Sequence, residues 1–165
     1  DGFEDACRGL PPDKVIQVLS TVLANIAELI HCRRGTLLEF IGDEVLAVFN
    51  TPTALRNHVY AAVACALEIH EQVKLILPIE TTDSKLVPIR CRCGVHTAQV
   101  LAGNIGSHKR IKFGVLGDAI NLTARLKGLT SRYQTETLTT DSVVADDHVA
   151  RKCVFRPVDV VAVKG

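Results

Sequence analysis

From Val15 to Ile30 the apolar positions fall at Val15, Val18, Leu19, Val22, Leu23, Ile26, Leu29 and Ile30, one stripe along a helix. Leu10-Pro11-Pro12-Asp13 leads into that stripe and Gly35 closes it. Two β-rich segments follow, 36–40 and 44–49, separated by Ile41-Gly42-Asp43, which predicts a tight hairpin. Thr51-Pro52 has the form of an N-cap with Pro at the first helical position. Leu55, Val59, Ala62, Val63, Ala66, Leu67, Val73 and Leu77 then predict a second amphipathic helix, closed by Pro78.

After a polar loop over 81–85, residues 88–95 predict a strand whose Ile89, Cys91, Cys93 and Val95 share one face. Strands are expected over 99–105 and 112–116. Gly117-Asp118 then turns into a third helix carrying Ile120, Leu122, Ala124, Leu126 and Leu129. A strand over 137–140, a short helix near 141–148 and closing strands over 154–163 complete the pattern. Strands and helices interleave, but the hairpins make the sheet mixed and mainly antiparallel. The fold class is therefore α+β, a ferredoxin-like sheet flanked by helices, in one domain over 1–165.

Composition changes this picture little. With 47% hydrophobic and 4% aromatic residues the core must be aliphatic, and 165 residues suit a single core. A net charge of +1 gives no general attraction for nucleic acid or an anionic membrane, so neither is expected as a partner. No apolar run reads as a membrane span and no secretory signal opens the chain, which points to a cytoplasmic setting. The six cysteines form no Cys-x-x-Cys pair and are read as reduced thiols; Cys91 and Cys93 lack the second ligand pair that a zinc site needs. The chain contains no Met, even at position 1, which implies a fragment of a longer protein.

Two segments carry chemistry. Asp43 sits at the hairpin tip, where a carboxylate projects free of the sheet and can ligate a hard cation through oxygen. Alone, it reads first as an Asp that suits a turn. Asn121 and Arg125 are one helical turn apart, so an amide and a guanidinium leave one face together. That pair suits a phosphoryl transition state, where charge builds on equatorial oxygens. Alone, it is equally a helix capped by Asp118 with Arg125 in a solvated ion pair.

Together the segments resemble the class III adenylate and guanylate cyclases. Glu39-Phe40-Ile41-Gly42-Asp43 resembles their metal-binding hairpin. Gly94-Val95-His96-Thr97-Ala98, followed by residues 100–106, resembles their next strand pair. Gly117-Asp118-Ala119-Ile120-Asn121 through Arg125 resembles their transition-state helix, and Arg156 through Gly165 their closing strands. The four motifs stand in family order across essentially the whole chain.

The resemblance implies two divalent metal ions, Mg2+ or Mn2+, with Asp43 as one ligand, and cyclisation by attack of the ribose 3′-hydroxyl on the α-phosphate. The other metal aspartate of the family lies in an Asp-Ile-x-Gly-Phe motif on the first strand. If Gly2-Phe3 end that motif, the aspartate lies upstream of residue 1, Asp1 holds the variable position, and the first strand is missing. Asn121 matches the asparagine that orients the ribose, Arg125 the arginine that stabilises the α-phosphate, and Lys164 the region of a lysine on the terminal phosphates.

Glu39 occupies the purine-reading position where guanylate cyclases carry Glu and adenylate cyclases Lys. A carboxylate accepts from guanine N1–H and its amino group but repels adenine N1. Gly114 occupies the partner position, often Cys in animal guanylate cyclases and Asp or Thr in adenylate cyclases, and offers no acceptor for adenine's amino group. The expectation is a guanylate cyclase acting on GTP as a head-to-tail homodimer with shared sites, without membrane contact by this domain. The alternatives are an adenylate cyclase using ATP and a non-catalytic cyclase-like domain that dimerises and regulates. A diguanylate cyclase is disfavoured, since no Gly-Gly-Asp/Glu-Glu-Phe signature appears at the hairpin, and the six histidines read as structural.

Overall fold

The computed structural model describes residue 3 and residues 7–76, 79–80 and 86–162. Helix α1 (Pro12–Cys32) starts with Pro in its first turn beside Asp13, where a fixed φ and a negative charge both favour a helix start. Its stripe buries Val22, Ile26 and Ile30. By length and composition α1 could cross a bilayer (21 residues, mean hydropathy 1.6), which corrects the expectation that no segment has that character. The fold accounts for the apolarity differently, because the stripe forms one half of a core cluster. The chain leaves α1 through Arg34 at φ 60, and the Gly35 amide donates back to the Ile30 carbonyl at 2.8 Å. A side chain at Gly35 would collide with Phe49 and Ile30, so glycine permits the close return.

Strands β1 (Thr36–Ile41) and β2 (Glu44–Val48) form the predicted antiparallel hairpin, in register from Thr36↔Val48 to Ile41↔Glu44. A bulge between Leu37 and Glu39 breaks the alternation just before Glu39. Helix α2 (His58–Lys74) begins later than Thr51-Pro52 predicts. That segment is irregular: the Thr51–Pro52 bond is cis, Asn50 sits at φ 75, and the Asn50 carboxamide oxygen accepts from the Leu55 amide at 2.7 Å. Asn57, not Thr51, precedes the first helical residue. Leu77 and Pro78, the predicted end of α2, lie outside the described residues, as does the loop over 81–85.

Strands β3 (Ile79–Glu80) and β4 (Leu86–Val87) form a small antiparallel pair. The strand expected over 88–95 shrinks to β5 (Cys93–Val95), because only these residues find a ladder partner. Strands β6 (Leu101–Ser107) and β7 (Arg110–Leu116) form a regular two-stranded ribbon. Helix α3 (Asp118–Arg132) follows Gly117, whose φ of 147 lies in the region that favours glycine. Strand β8 (Thr137–Thr139) lies parallel to β5, and the short helices α4 (Asp141–Val144) and α5 (Asp147–Lys152) follow. Asp146 caps α5 by accepting from the His148 and Val149 amides. Residues 153–162 are irregular and pair with no strand among the described residues, which corrects the expected closing strands; Val154 and Val160 stay exposed.

Helix α2 joins two apolar clusters. Its Cys65, Ile69 and Val73 pack against Val22, Ile26 and Ile30 of α1. Its Val59, Val63 and Ala66 pack against Val95, Val143 and Val149. Each buried Val or Ile contributes roughly 1.5–3 kcal/mol, which makes α2 the spine of the fold. Ile89, Cys91 and Cys93 do meet the first cluster, as their shared face predicts. Burial pushes the Cys65 thiol up to about 11 and the Cys93 thiol up to about 12. The mixed, mainly antiparallel α+β class stands: among the described residues three of the four strand pairs are antiparallel and one is parallel.

Candidate active site

Helix α3 packs on β5 through a close backbone contact. A Cβ at Gly94 would lie 2.5 Å from the Thr123 carbonyl oxygen and 2.7 Å from the Lys127 amide nitrogen. That seat turns Leu126 and Thr130 inward and leaves Asn121 and Arg125 on the exposed face. Neither Asn121 nor Arg125 makes a side-chain hydrogen bond or ion pair among the described residues, and both line an open cleft of about 1330 Å³ between β2, β5 and the start of α3. Asp118 stands in the first turn without a side-chain cap bond, so it supports the helix through its charge alone.

Asp43 and Gly42 form the tip between β1 and β2, and both are exposed. Gly42 has φ 62, and a side chain there would meet nothing within 4 Å, so the tip stands clear of the body. The Asp43 charge still reaches inward: burial is the main force raising the Cys91 thiol, and Asp43 adds to it. Among the described residues no group of three or more His, Cys, Asp or Glu side chains gathers to hold a metal. A single exposed carboxylate fits a cation of the magnesium kind, which binds one or two carboxylates, substrate phosphates and water, rather than a closed protein cage.

Glu39 on β1 is ion-paired with Lys112 on β7, Oε1 to Nζ at 2.8 Å. Lys112 and Gly114 lie two apart on one strand and so share a face. The pair ties the strand that carries Glu39 to the strand that carries Gly114 within a single chain. A Cβ at Gly114 would touch Ile105 at 3.1 Å. The hairpin also pairs with α3 through Glu44 and Lys127. Sequence reasoning misses Lys112 and Lys127, since lysines paired across 73 and 83 residues carry no local signal. Lys164 lies outside the described residues, as do Asp1 and Gly2.

His96, at the end of β5, also lines the cleft. Its Nδ1 is 2.8 Å from the Thr140 hydroxyl, which is 2.8 Å from Ser142, and the Ser142 hydroxyl donates to the Thr97 carbonyl at 3.1 Å. Burial holds this imidazole below its ordinary 6.5. The network ties the cleft wall to α4 and agrees with a structural role.

The family profile described as the adenylate and guanylate cyclase catalytic domain matches residues 1–165. The chain belongs to that family. The cyclase domain is 31% identical to adenylate cyclase 1 of Rhizobium meliloti (strain 1021), over 99% of this chain and 24% of that protein. It is 30% identical to an adenylate cyclase of Anabaena cylindrica, over 99% of this chain and 32% of that protein. The chain therefore spans 24% and 32% of the length of these two relatives. The guanylyl cyclase Cya2 structure is 33% identical, covers 87% of this chain and 71% of its own, and superposes with a TM-score of 0.74. The adenylyl cyclase CyaB structure from P. aeruginosa superposes with a TM-score of 0.85 over 99% of this chain and 83% of its own; at 22% identity it shows the shared fold. This is a nucleotide cyclase catalytic domain, with both guanylyl and adenylyl cyclases among the proteins it is similar to.

Proposed function

We propose that this domain converts GTP to cyclic GMP and pyrophosphate, as one half of a head-to-tail homodimer. The observation that carries the reading is the pair Asn121 and Arg125, presented together on the exposed face of α3 at the rim of an open cleft with no competing partner among the described residues. A guanidinium in that position can donate to α-phosphate oxygens as charge builds on them. Asn121, one turn earlier, orients the ribose so that its 3′-oxygen forms a bond to the α-phosphorus while the bond to pyrophosphate breaks.

Asp43 holds metal through its free carboxylate at the hairpin tip. Two divalent ions, Mg2+ or Mn2+, when bound help ionise the 3′-hydroxyl and steady the attacking and leaving oxygens. The second metal aspartate of the family motif is assigned to no described residue. In the dimer, Asp43 of one protomer serves the site whose Asn121 and Arg125 belong to its partner, giving two equivalent sites. Lys164 is assigned to the terminal phosphates on the sequence match alone.

Glu39 supports guanine as the base, since its carboxylate accepts from N1–H and the amino group, and Gly114 adds no acceptor for adenine. A second reading, ATP to cyclic AMP, is favoured by Lys112, whose ammonium at Glu39 is a donor that adenine N1 could use. Incubating the protein with Mn2+ and GTP or ATP, with Asp43→Ala as control, and identifying the product by chromatography separates them. Cyclic GMP lost in Asp43→Ala is the expected result. Cyclic AMP alone would overturn the base assignment, and no cyclic product from either would overturn the enzymatic reading.

A further inference from the structure

The tip bearing Asp43 has little to hold it. Gly42 meets nothing, Asp43 and Glu44 are exposed, and β1 and β2 pair with no third strand among the described residues. The relation of the tip to the rest of the fold therefore rests on side chains. Glu44 is the residue to fix, because Ile41↔Glu44 is the last ladder pair and closes the two-residue turn that contains Asp43. Its carboxylate is paired with Lys127 on α3, the helix that carries Asn121 and Arg125.

We propose that Lys127 is a positioning residue for the Asp43 turn, latching the tip to α3 through Glu44. The inference rests on the proposed role of Asp43 as a metal ligand. The latch has a second consequence in the proposed dimer: α3 serves one site and the hairpin the other, so the same ion pair spans the two sites of each chain. Glu39–Lys112 ties β1 to β7 two residues before the tip-side end of the strand and Val45 packs on the core, while Glu44–Lys127 is the ion pair at the last ladder pair beside the turn.

For Lys127→Met charge and position predict opposite signs, which makes the latch testable; for Glu44→Gln both predict weaker binding. Removing a cation beside a metal site strengthens cation binding by simple Coulomb attraction. Losing a latch weakens it, because the carboxylate must then be ordered when the metal binds. The experiment measures Mn2+ binding by electron paramagnetic resonance, with a non-hydrolysable guanosine triphosphate, in the full chain and in Lys127→Met, Glu44→Gln and the exchange Glu44→Lys/Lys127→Glu. Both single variants should bind Mn2+ about threefold more weakly, the scale of an exposed ion pair, and the exchange should restore the amide protection of the turn. In turnover, the loss should fall on the Mn2+ half-saturation rather than on kcat. Tighter or unchanged binding in Lys127→Met, or an exchange variant whose turn protection stays as low as that of the singles, overturns the proposal.

Amide exchange at Ile41 and Glu44 in metal-free protein separates this failure from that of the reading beneath it. Unchanged protection in Lys127→Met means that there is no latch. Lower protection with unchanged Mn2+ binding also overturns the proposal, and puts the fault in Asp43 as ligand.

Discussion

Replacing Gly94 by Ala tests the seat of α3, on which the placement of Asn121 and Arg125 depends. The new methyl would lie 2.5 Å from the Thr123 carbonyl oxygen, 2.7 Å from the Lys127 nitrogen and 3.2 Å from the Leu126 Cβ. Two of these are backbone atoms, which no rotamer change moves aside. Ordinary contact begins near 3.4 Å, so the helix must back away from β5 by about 1 Å. Overpacking of this kind costs roughly 1–3 kcal/mol. In a domain of this size that lowers the melting temperature by roughly 3–10 °C. A displacement of about 1 Å at groups that position a substrate can cost about 100-fold in rate. Calorimetry and cyclic-nucleotide turnover check both effects, with Gly103→Ala, where a methyl meets nothing within 4 Å, as control. A Gly94→Ala protein that melts within about 1 °C of the parent and turns over normally would refute the close-packing argument.

Gly128 sits inside α3, where an added Cβ would meet nothing within 4 Å, so Gly128→Ala should stabilise by about 0.5–1 kcal/mol through helix propensity, read as a higher urea midpoint. Burial holds the His70 imidazole below its ordinary 6.5, with Glu136 and Glu71 opposing the shift and Lys74 aiding it. The unfolded chain then binds that proton more tightly than the folded one. Stability present above pH 6.5 is therefore lost as pH falls from there through the folded value. His70→Gln should flatten that part of the curve of urea midpoint against pH, and an unchanged slope would exclude His70 as its source.

Much of this fold is legible in the spacing of apolar residues. The stripe of α1, the Gly42-Asp43 turn and the Gly117 entry to α3 are local patterns, and each appears where periodicity puts it. The failures are places where a non-local partner decides. Residues 88–92 have strand-like alternation but no ladder partner among the described residues, and 154–162 likewise stay irregular. Thr51-Pro52 carries a helix-start signature, yet Asn50 claims the Leu55 amide and delays the helix to His58. At the candidate site, the exposure of Asp43, Asn121 and Arg125 is readable from turn and helix geometry. Lys112 and Lys127 are not, since only the folded chain brings them to Glu39 and Glu44.

The Glu39–Lys112 contact joins two solvent-facing side chains, and dissolved ions compete with such a pair within a Debye length of about 8 Å at physiological salt. On the proposed base-reading role of Glu39, a base that takes Oε1 competes there with the ammonium. Raising potassium chloride loosens the lysine and eases that competition, so on the same proposal the preference between purines becomes a function of the medium as well as of the pocket. A preference measured in dilute buffer describes the gripped carboxylate, and one measured in concentrated salt describes the freed one.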